Sequence, residues 1–469
     1  MENSQIISVA PMLDVTDTYQ RFIYRLITKC TTLYTEMIVD TTVIYQQQKG
    51  LDLILNYNKS EHPIVAQIGG SQPGVIAAAA KIINTWNYDE FNINCGCPSF
   101  KVSKNEFGAR LMLKPELVAS IIKEMKNDVS KPITIKCRIG VDNHDSYEEL
   151  CQFIAVTHRE GCTDYIIHAR KCLLHGLTTN ENRYIPELKY EWVFKLLDDF
   201  PDCTFSLNGG ISSIEQAQQL FKQKSATGRT LKGIMIGRAV MGNPWILRHV
   251  DSTFYHMPDP LYHRAKILLE YDQYCKKLRQ FYGRRMGADT LLIRPLLHLF
   301  AGERGGVAFR RTLQDDIHDK YTLHNAISRG LQYIDDVNLF TIDNNSEELI
   351  GREEEIRYYR DYFKPVDFLD DEYNYDEWGT STELASELET GDINEGVFID
   401  MNTLQSDEKG NKKREERGKR KYISNNDSLK DQEKKESINI NSKEEEKQKE
   451  NNNKSEIVLN NSSEYIEEP

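Results

Sequence analysis

Three features of the 469-residue sequence point to one architecture. Eight apolar, β-rich segments recur between residues 6 and 238, with helical patterns between most of them. Polar side chains are held back to the C-terminal ends of those segments. No Gly-x-Gly-x-x-Gly follows the first segment, which disfavours an open, doubly wound sheet. The class predicted is α/β: a (β/α)8 TIM barrel of ordinary size, followed by a small all-helical domain and a disordered, acidic, low-complexity C-terminal tail.

The strand segments are Ile6–Met12, Thr32–Ile38, Pro63–Gly70, Tyr88–Cys95, Pro132–Gly140, Asp164–Arg170, Thr204–Gly210 and Gly233–Arg238. Helices are expected over Gly74–Thr85, Pro115–Val129, Ser146–Glu160, Tyr190–Phe200 and Ser213–Gln223. The strand ends present Met12 and Asp14, Glu36, Gln67, Asn94 and Cys97, Lys136 and Arg138, His168 and Arg170, Asn208, and Arg238. Each alone reads as structural. Eight barrel strands, however, end on one face, where barrel enzymes keep their sites.

From about Leu261 apolar residues recur every three or four positions, in Tyr262–Tyr282, Leu291–Phe300, Val307–Gln314 and Thr322–Val337. This second domain carries Arg284, Arg285, Arg294, Arg304, Arg310 and Arg311, a solvated face or a surface for phosphate backbone. The divisions expected are residues 1–250, 251–340 and 341–469. Residues 1–340 hold 40 Lys and Arg against 37 Asp and Glu, whereas 341–469 hold 19 against 35. The acidic balance therefore belongs to the tail, whose Asn-, Lys-, Glu- and Ser-rich composition cannot bury enough apolar surface to offset chain entropy. Its basic run Lys409–Tyr422 reads as solvated, or as a nuclear address or RNA-touching patch.

All nine cysteines precede residue 276, at irregular spacing, which argues for a reducing, cytoplasmic compartment over a disulfide framework. No second Cys or His pair accompanies Cys95 and Cys97 at zinc spacing, so no metal is expected. No apolar run reaches ~18 residues, and the first strand begins too early for a leader on the chain as given; no membrane partner is expected.

The chemistry concentrates in Tyr88–Ser99, YDEFNINCGCPS, a buried strand ending in a thiol-bearing turn. Gly96 is expected to ease that turn and Pro98 to fix its exit. Ser206–Gly210 and Ile236–Arg238 end the seventh and eighth strands in glycines beside Asn208 and Arg238. Barrels commonly bind phosphate there, on a substrate or on a cofactor such as FMN.

In order, VAPMLDVTD, LYTEM, HPIVAQIGG, FNINCGCPS, FGARLM, TIKCRIGVD, IIHARK, LNGGI and MIGRA resemble the motifs of the tRNA-dihydrouridine synthases, and IIHARK…LTTNENRYIPEL resembles their A-type subfamily, which acts at positions 20 and 20a. The resemblance spans about residues 6–337. It implies an FMN enzyme that reduces uridine in the tRNA D-loop, with NADPH as reductant, acting as a monomer. Pro11, Met12 and Leu13 would pass under the flavin. Gln67, Lys136 and His168 would touch its ring or ribityl chain, and Asn208, Gly209, Gly210, Gly237 and Arg238 would hold its phosphate. Hydride would pass from flavin N5 to uracil C6, and Cys97 would donate the proton at C5. Asn94, Arg170, Asn180, Arg183 and Arg294 would meet the tRNA. Cys95 stands where the family often has an aliphatic residue. Asn180 stands where the A-type pattern often has a basic one. Two other readings are a flavin-dependent dehydrogenase of the dihydroorotate type and an inactive tRNA-binding relic.

Overall fold

The computed structural model describes residues 5–47, 50–99, 102, 106–286, 289–318, 321–366 and 388–389. All eight expected strands form. They are Ile6–Val9, the pair Leu33–Tyr34 and Ile38–Val39, Ile64–Gly69, Glu90–Cys95, Ile133–Arg138, Asp164–His168, Thr204–Asn208 and Gly233–Ile236. Neighbours in sequence pair in parallel, and the eighth strand returns to the first through the register Ile6 to Gly233. Val9 N donates to Thr32 O at 3.0 Å, which closes the ring between the first and second strands. The second strand is broken at Thr35–Met37, and both of its pieces pair with the third.

The expected helices flank the barrel as Pro73–Ile83, Pro115–Asp128, Tyr147–Arg159, Tyr190–Asp199 and Ile214–Lys222. Ser146 and Glu149 form a capping box at the third of these, satisfying two otherwise unpaired N–H groups. One further helix, Thr18–Ile27, fills the first crossover. Its buried face includes Arg21, paired with Glu61 at 2.6 Å, and Arg25, whose guanidinium donates to the carbonyls of Thr28, Lys29, Thr31 and Glu61. Charged residues on a buried face blur the apolar stripe by which a sequence signals a helix.

The helical region begins with the 19-residue helix Arg264–Tyr282. It leans on Thr18–Ile27, where Tyr274 stacks on Phe22 at 3.9 Å. Arg264 is buried over the Trp245 ring and paired with Glu303 at 2.7 Å. The expected helix Leu291–Phe300 is shorter, Asp289–Ile293 followed by a 3-10 turn at Arg294–Leu296, because Pro295 lacks the N–H a continuing helix needs.

Order also continues beyond Thr341, where composition marks the start of the tail. The helix Glu353–Tyr362 docks on Arg264–Tyr282. Tyr359 and Phe363 are buried, the Tyr362 hydroxyl donates to Asp272 at 2.8 Å, and Asn325 and Val366 exchange two hydrogen bonds. This corrects the boundary at 341. The stretch is polar overall, but three aromatics on one side are enough to seat it. The basic run Lys409–Tyr422, with most of the expected tail, lies outside the described residues.

Candidate active site

The turn after the fourth strand is built from both sides. Asn94 Oδ1 accepts from the backbone N–H groups of Gly96 (3.1 Å) and Cys97 (3.0 Å). Asn94 Nδ2 donates to Gln67 Oε1 at 2.8 Å. Arg138, itself buried, donates through Nε to Gly96 O at 3.0 Å and through Nη1 to the carbonyls of Lys171 and Asn182. Gly96 lies outside the left-handed region, so its expected freedom is not what shapes the turn. The glycine the turn requires is Gly108, at φ +68°. A Cβ there would stand 2.7 Å from Cys97 O and 2.5 Å from Val102. Cys97 O accepts from Ala109 N at 3.0 Å.

The two neighbouring thiols differ. Cys95 is fully buried, and burial pushes its thiol well above the ordinary range. Cys97 is only half-buried. Among the nine cysteines, all free, it is the one placed at the strand-end face with Lys136, Arg138 and Arg183 nearby.

Register brings the other candidates alongside. Lys136 pairs with Asn94, and His168 pairs with both Arg138 and Asn208. Burial, then Arg138, lowers Lys136 to about 8. His168 is held well below its ordinary value by burial first, then by Arg138, Lys136, Arg170 and Arg238, so the ring is neutral at pH 7. Its Nδ1 is buried with no hydrogen-bond partner among the described residues. Gly209 and Gly210 sit at φ +110° and +71°, and a Cβ on Gly209 would stand 3.2 Å from the His168 ring. Asn208 Nδ2 donates to Met235 O at 2.8 Å, tying the seventh strand to the eighth. Gly237 lies against Met12 and Ala10, and Leu13 is 71% exposed on the loop beyond. Arg238 is exposed and donates to Arg183 O at 2.9 Å.

The remaining expected contacts are spread more widely. Arg170 donates to Pro186 O, with its Nε unpartnered. Asn180 stands exposed on the loop that buried Asn182 organises through Leu173 and Thr178. Arg294 is turned inward. It donates to Asp14 O at 2.9 Å and lies 3.5 Å from Asp17, so it joins the helical region to the loop after the first strand. Sequence reasoning missed Gly108 and gave Arg138 no role. A clamp such as Arg138, reaching three carbonyls from two loops, has no local signal.

This mouth offers a half-buried thiol, a buried unpartnered ring nitrogen, a left-handed glycine pair and a surplus of cations. Residues 8–332 match the family model described as dihydrouridine synthase (Dus). The chain belongs to the dihydrouridine synthase family. It is therefore an oxidoreductase of a family that is in general flavin-dependent. Among its relatives, the tRNA-dihydrouridine(20/20a) synthase of Synechocystis sp. is 40% identical over 309 residues, 66% of this chain and 88% of the relative. Proteins of the same name from Vibrio cholerae and Escherichia coli are each 40% identical, over 320 and 334 residues, and cover 93% and 91% of those relatives. The family match ends at 332, so the docked helix Glu353–Tyr362 lies beyond it. Among the described residues, no helix is long and apolar enough to cross a membrane, and no cluster of His, Cys, Asp or Glu could hold a metal.

Proposed function

We propose that this dihydrouridine synthase reduces uridines at positions 20 and 20a of the tRNA D-loop, as a monomer, with FMN as cofactor and NADPH as reductant. The observation that carries the reading is the convergence of a half-buried thiol, Cys97, with Lys136 and the unpartnered Nδ1 of His168 at the strand ends. The residues fit a phosphate-bearing flavin. Gly209, Gly210, Gly237 and Arg238, with Asn208 behind them, would receive the phosphate, since glycines admit close approach and a guanidinium matches phosphate geometry. Pro11, Met12 and Leu13 would lie under the ring, with Gln67, Lys136 and His168 against it.

Bound FMN supplies hydride for C6 of the uracil. Cys97 then gives its Sγ proton to C5, and Asn94 and Arg138 keep the turn that carries it in place. Lys136 would face the flavin and offer it a positive charge already held in place, without reorganisation. The base must leave its stack to enter the mouth, at a cost of a few kcal/mol, which favours a loop substrate. Arg170 and Arg183, with Asn180 at the rim, are the tRNA contacts proposed. Asn94 and Arg294 are assigned to holding the turn and the domain junction.

The test is tRNA-triggered reoxidation. The purified protein is reduced by NADPH without oxygen and then given tRNA lacking dihydrouridine. Reoxidation that needs tRNA, and leaves dihydrouridine at 20 and 20a, is expected. Reoxidation by a small unsaturated acid and not by tRNA would point to a dehydrogenase. Protein that takes up no flavin would point to a relic.

A further inference from the structure

The barrel interior is divided. One side is an apolar cluster of Ala10, Tyr34, Val65, Ile166 and Met235. The other carries a polar row across the third, fourth and fifth strands, where Asn92 stands in register with both Gln67 and Thr134. All three are almost inaccessible. Gln67 Nε2 donates to Asn92 Oδ1 at 2.8 Å, Asn92 Nδ2 to Thr134 Oγ1 at 2.8 Å, and Thr134 Oγ1 to Glu90 Oε1 at 2.6 Å. With the Asn94–Gln67 bond described above, a single file of side chains runs from Glu90, at the strand's start, to the Cys97 turn at its end.

The direction of this file is forced at both ends. Asn94 Oδ1 faces two backbone N–H groups, so its amide nitrogen must face Gln67. Thr134 Oγ1 accepts from Asn92 Nδ2, so its one proton is left to donate to Glu90 Oε1. Each amide between has one orientation that satisfies both neighbours. A turned amide would set like groups against each other in a dry interior, where unmade hydrogen bonds are costly. Lys232, paired with Asp164, and Asp89 are the charged groups facing Glu90.

We propose that Thr134, anchored by Glu90, is a positioning residue for the Cys97 turn, acting through Asn92, Gln67 and Asn94 from about 7 Å of strand below Asn94, two residues at ~3.3 Å each. Its effect on turnover rests on the reading of Cys97 as proton donor, whereas its effect on the turn does not. The hydroxyl matters more than the carboxylate, because Thr134 Oγ1 has a second, longer acceptor in Phe91 O at 3.3 Å.

The test compares full-length Thr134→Val, which keeps the shape and removes the hydroxyl, with Thr134→Ser, which keeps the hydroxyl. Hydrogen exchange of the 94–98 segment and iodoacetamide labelling of Cys97, resolved by peptide mass spectrometry, are read without flavin. tRNA-driven reoxidation is read with it. The valine variant is expected to speed exchange and labelling, and to slow reoxidation, each by about 10-fold, the scale of one lost buried hydrogen bond. The serine variant is expected to restore all three. Unchanged exchange and labelling in the valine variant would overturn the proposal, as would a serine variant equally impaired. Should the valine variant fail to fold, Glu90→Gln is expected to move exchange the same way by about 3-fold, the charge being lost but an acceptor kept; no change there would overturn it. Altered exchange with normal turnover would uphold the positioning and overturn the role of Cys97.

Discussion

Cys97 and Cys95 are two residues apart and chemically remote. The strand's alternation sends Cys95 into the packed layer beside Cys137, where its thiol is inert, and the turn carries Cys97 out to the mouth. Cys97→Ala is therefore expected to bind flavin normally and lose turnover on tRNA by roughly 10²-fold, the scale of general acid catalysis. Full activity in that variant, measured by dihydrouridine content, would remove Cys97 from the mechanism. Lys136 makes the opposite trade. Its ordinary value is 10.5, and in the folded protein it is lowered to about 8. Below pH 8 both folded and unfolded chains carry the charge, and the cost of burying it is full. Between 8 and 10.5 the unfolded chain holds the proton that the folded chain has released, so stability contributed by this group rises with pH. Lys136→Met is thus expected to raise the melting temperature of the flavin-free protein at pH 7 by a few degrees and to bind flavin more weakly. The difference in melting temperature should shrink as pH approaches 10, and a difference independent of pH would contradict this account.

At the scale of elements, most of the eight strands were legible as short apolar runs with a polar residue at the end, a pattern that survives without neighbours, although the fourth alternates Glu90, Asn92 and Asn94 with apolar residues. The Thr18–Ile27 helix was obscured because Arg21 and Arg25 sit on its buried face, satisfied by Glu61 and by carbonyls distant in sequence. Glu353–Tyr362 was hidden by its acidic composition. The seat of Tyr359 and Phe363 is visible only once the first helix of the second domain is folded. A chain ended after Thr341 is accordingly expected to melt several degrees below one ended after Val366, as thermal denaturation would register; equal melting would mean that the docked helix is decorative. The Cys97 turn gives a sharper case. Its need for glycine lies eleven residues away, at Gly108. Gly108→Ala places a side chain at φ +68° against Cys97 O, a strain of about 1–3 kcal/mol. It should depress kcat on tRNA by at least the few-fold expected of a displaced acid, with flavin content unchanged. A wild-type kcat would show that the turn absorbs the overlap.

Across the whole molecule, the barrel and the helical region meet through Arg264 over Trp245, Tyr274 on Phe22, and Arg294 against Asp14 and Asp17. Of these, Arg294 alone reaches the loop that continues from Pro11, Met12 and Leu13. Sequence offered it as one arginine among six and, through the family resemblance, as a tRNA contact; its role at the junction was hidden because Asp14 does not announce a partner 280 residues away. Arg294→Ala is expected to raise KM for tRNA several-fold while NADPH reduces the flavin at the wild-type rate, because the two surfaces that a large substrate would span lose their common register. Steady-state kinetics with each substrate varied would separate the effects, and a change confined to the NADPH reaction would count against it. Finally, burial and then the crowding of like charge lower the proton affinity of Lys136, Arg138, Arg170 and Arg183, with Arg238 among the cations that act on Arg170 and Arg183. An anion that settles among them relieves that repulsion, so it stabilises the native chain by an amount that grows with the logarithm of its concentration once that exceeds its dissociation constant. The supply of such an anion would then govern how long each copy of the protein escapes proteolysis.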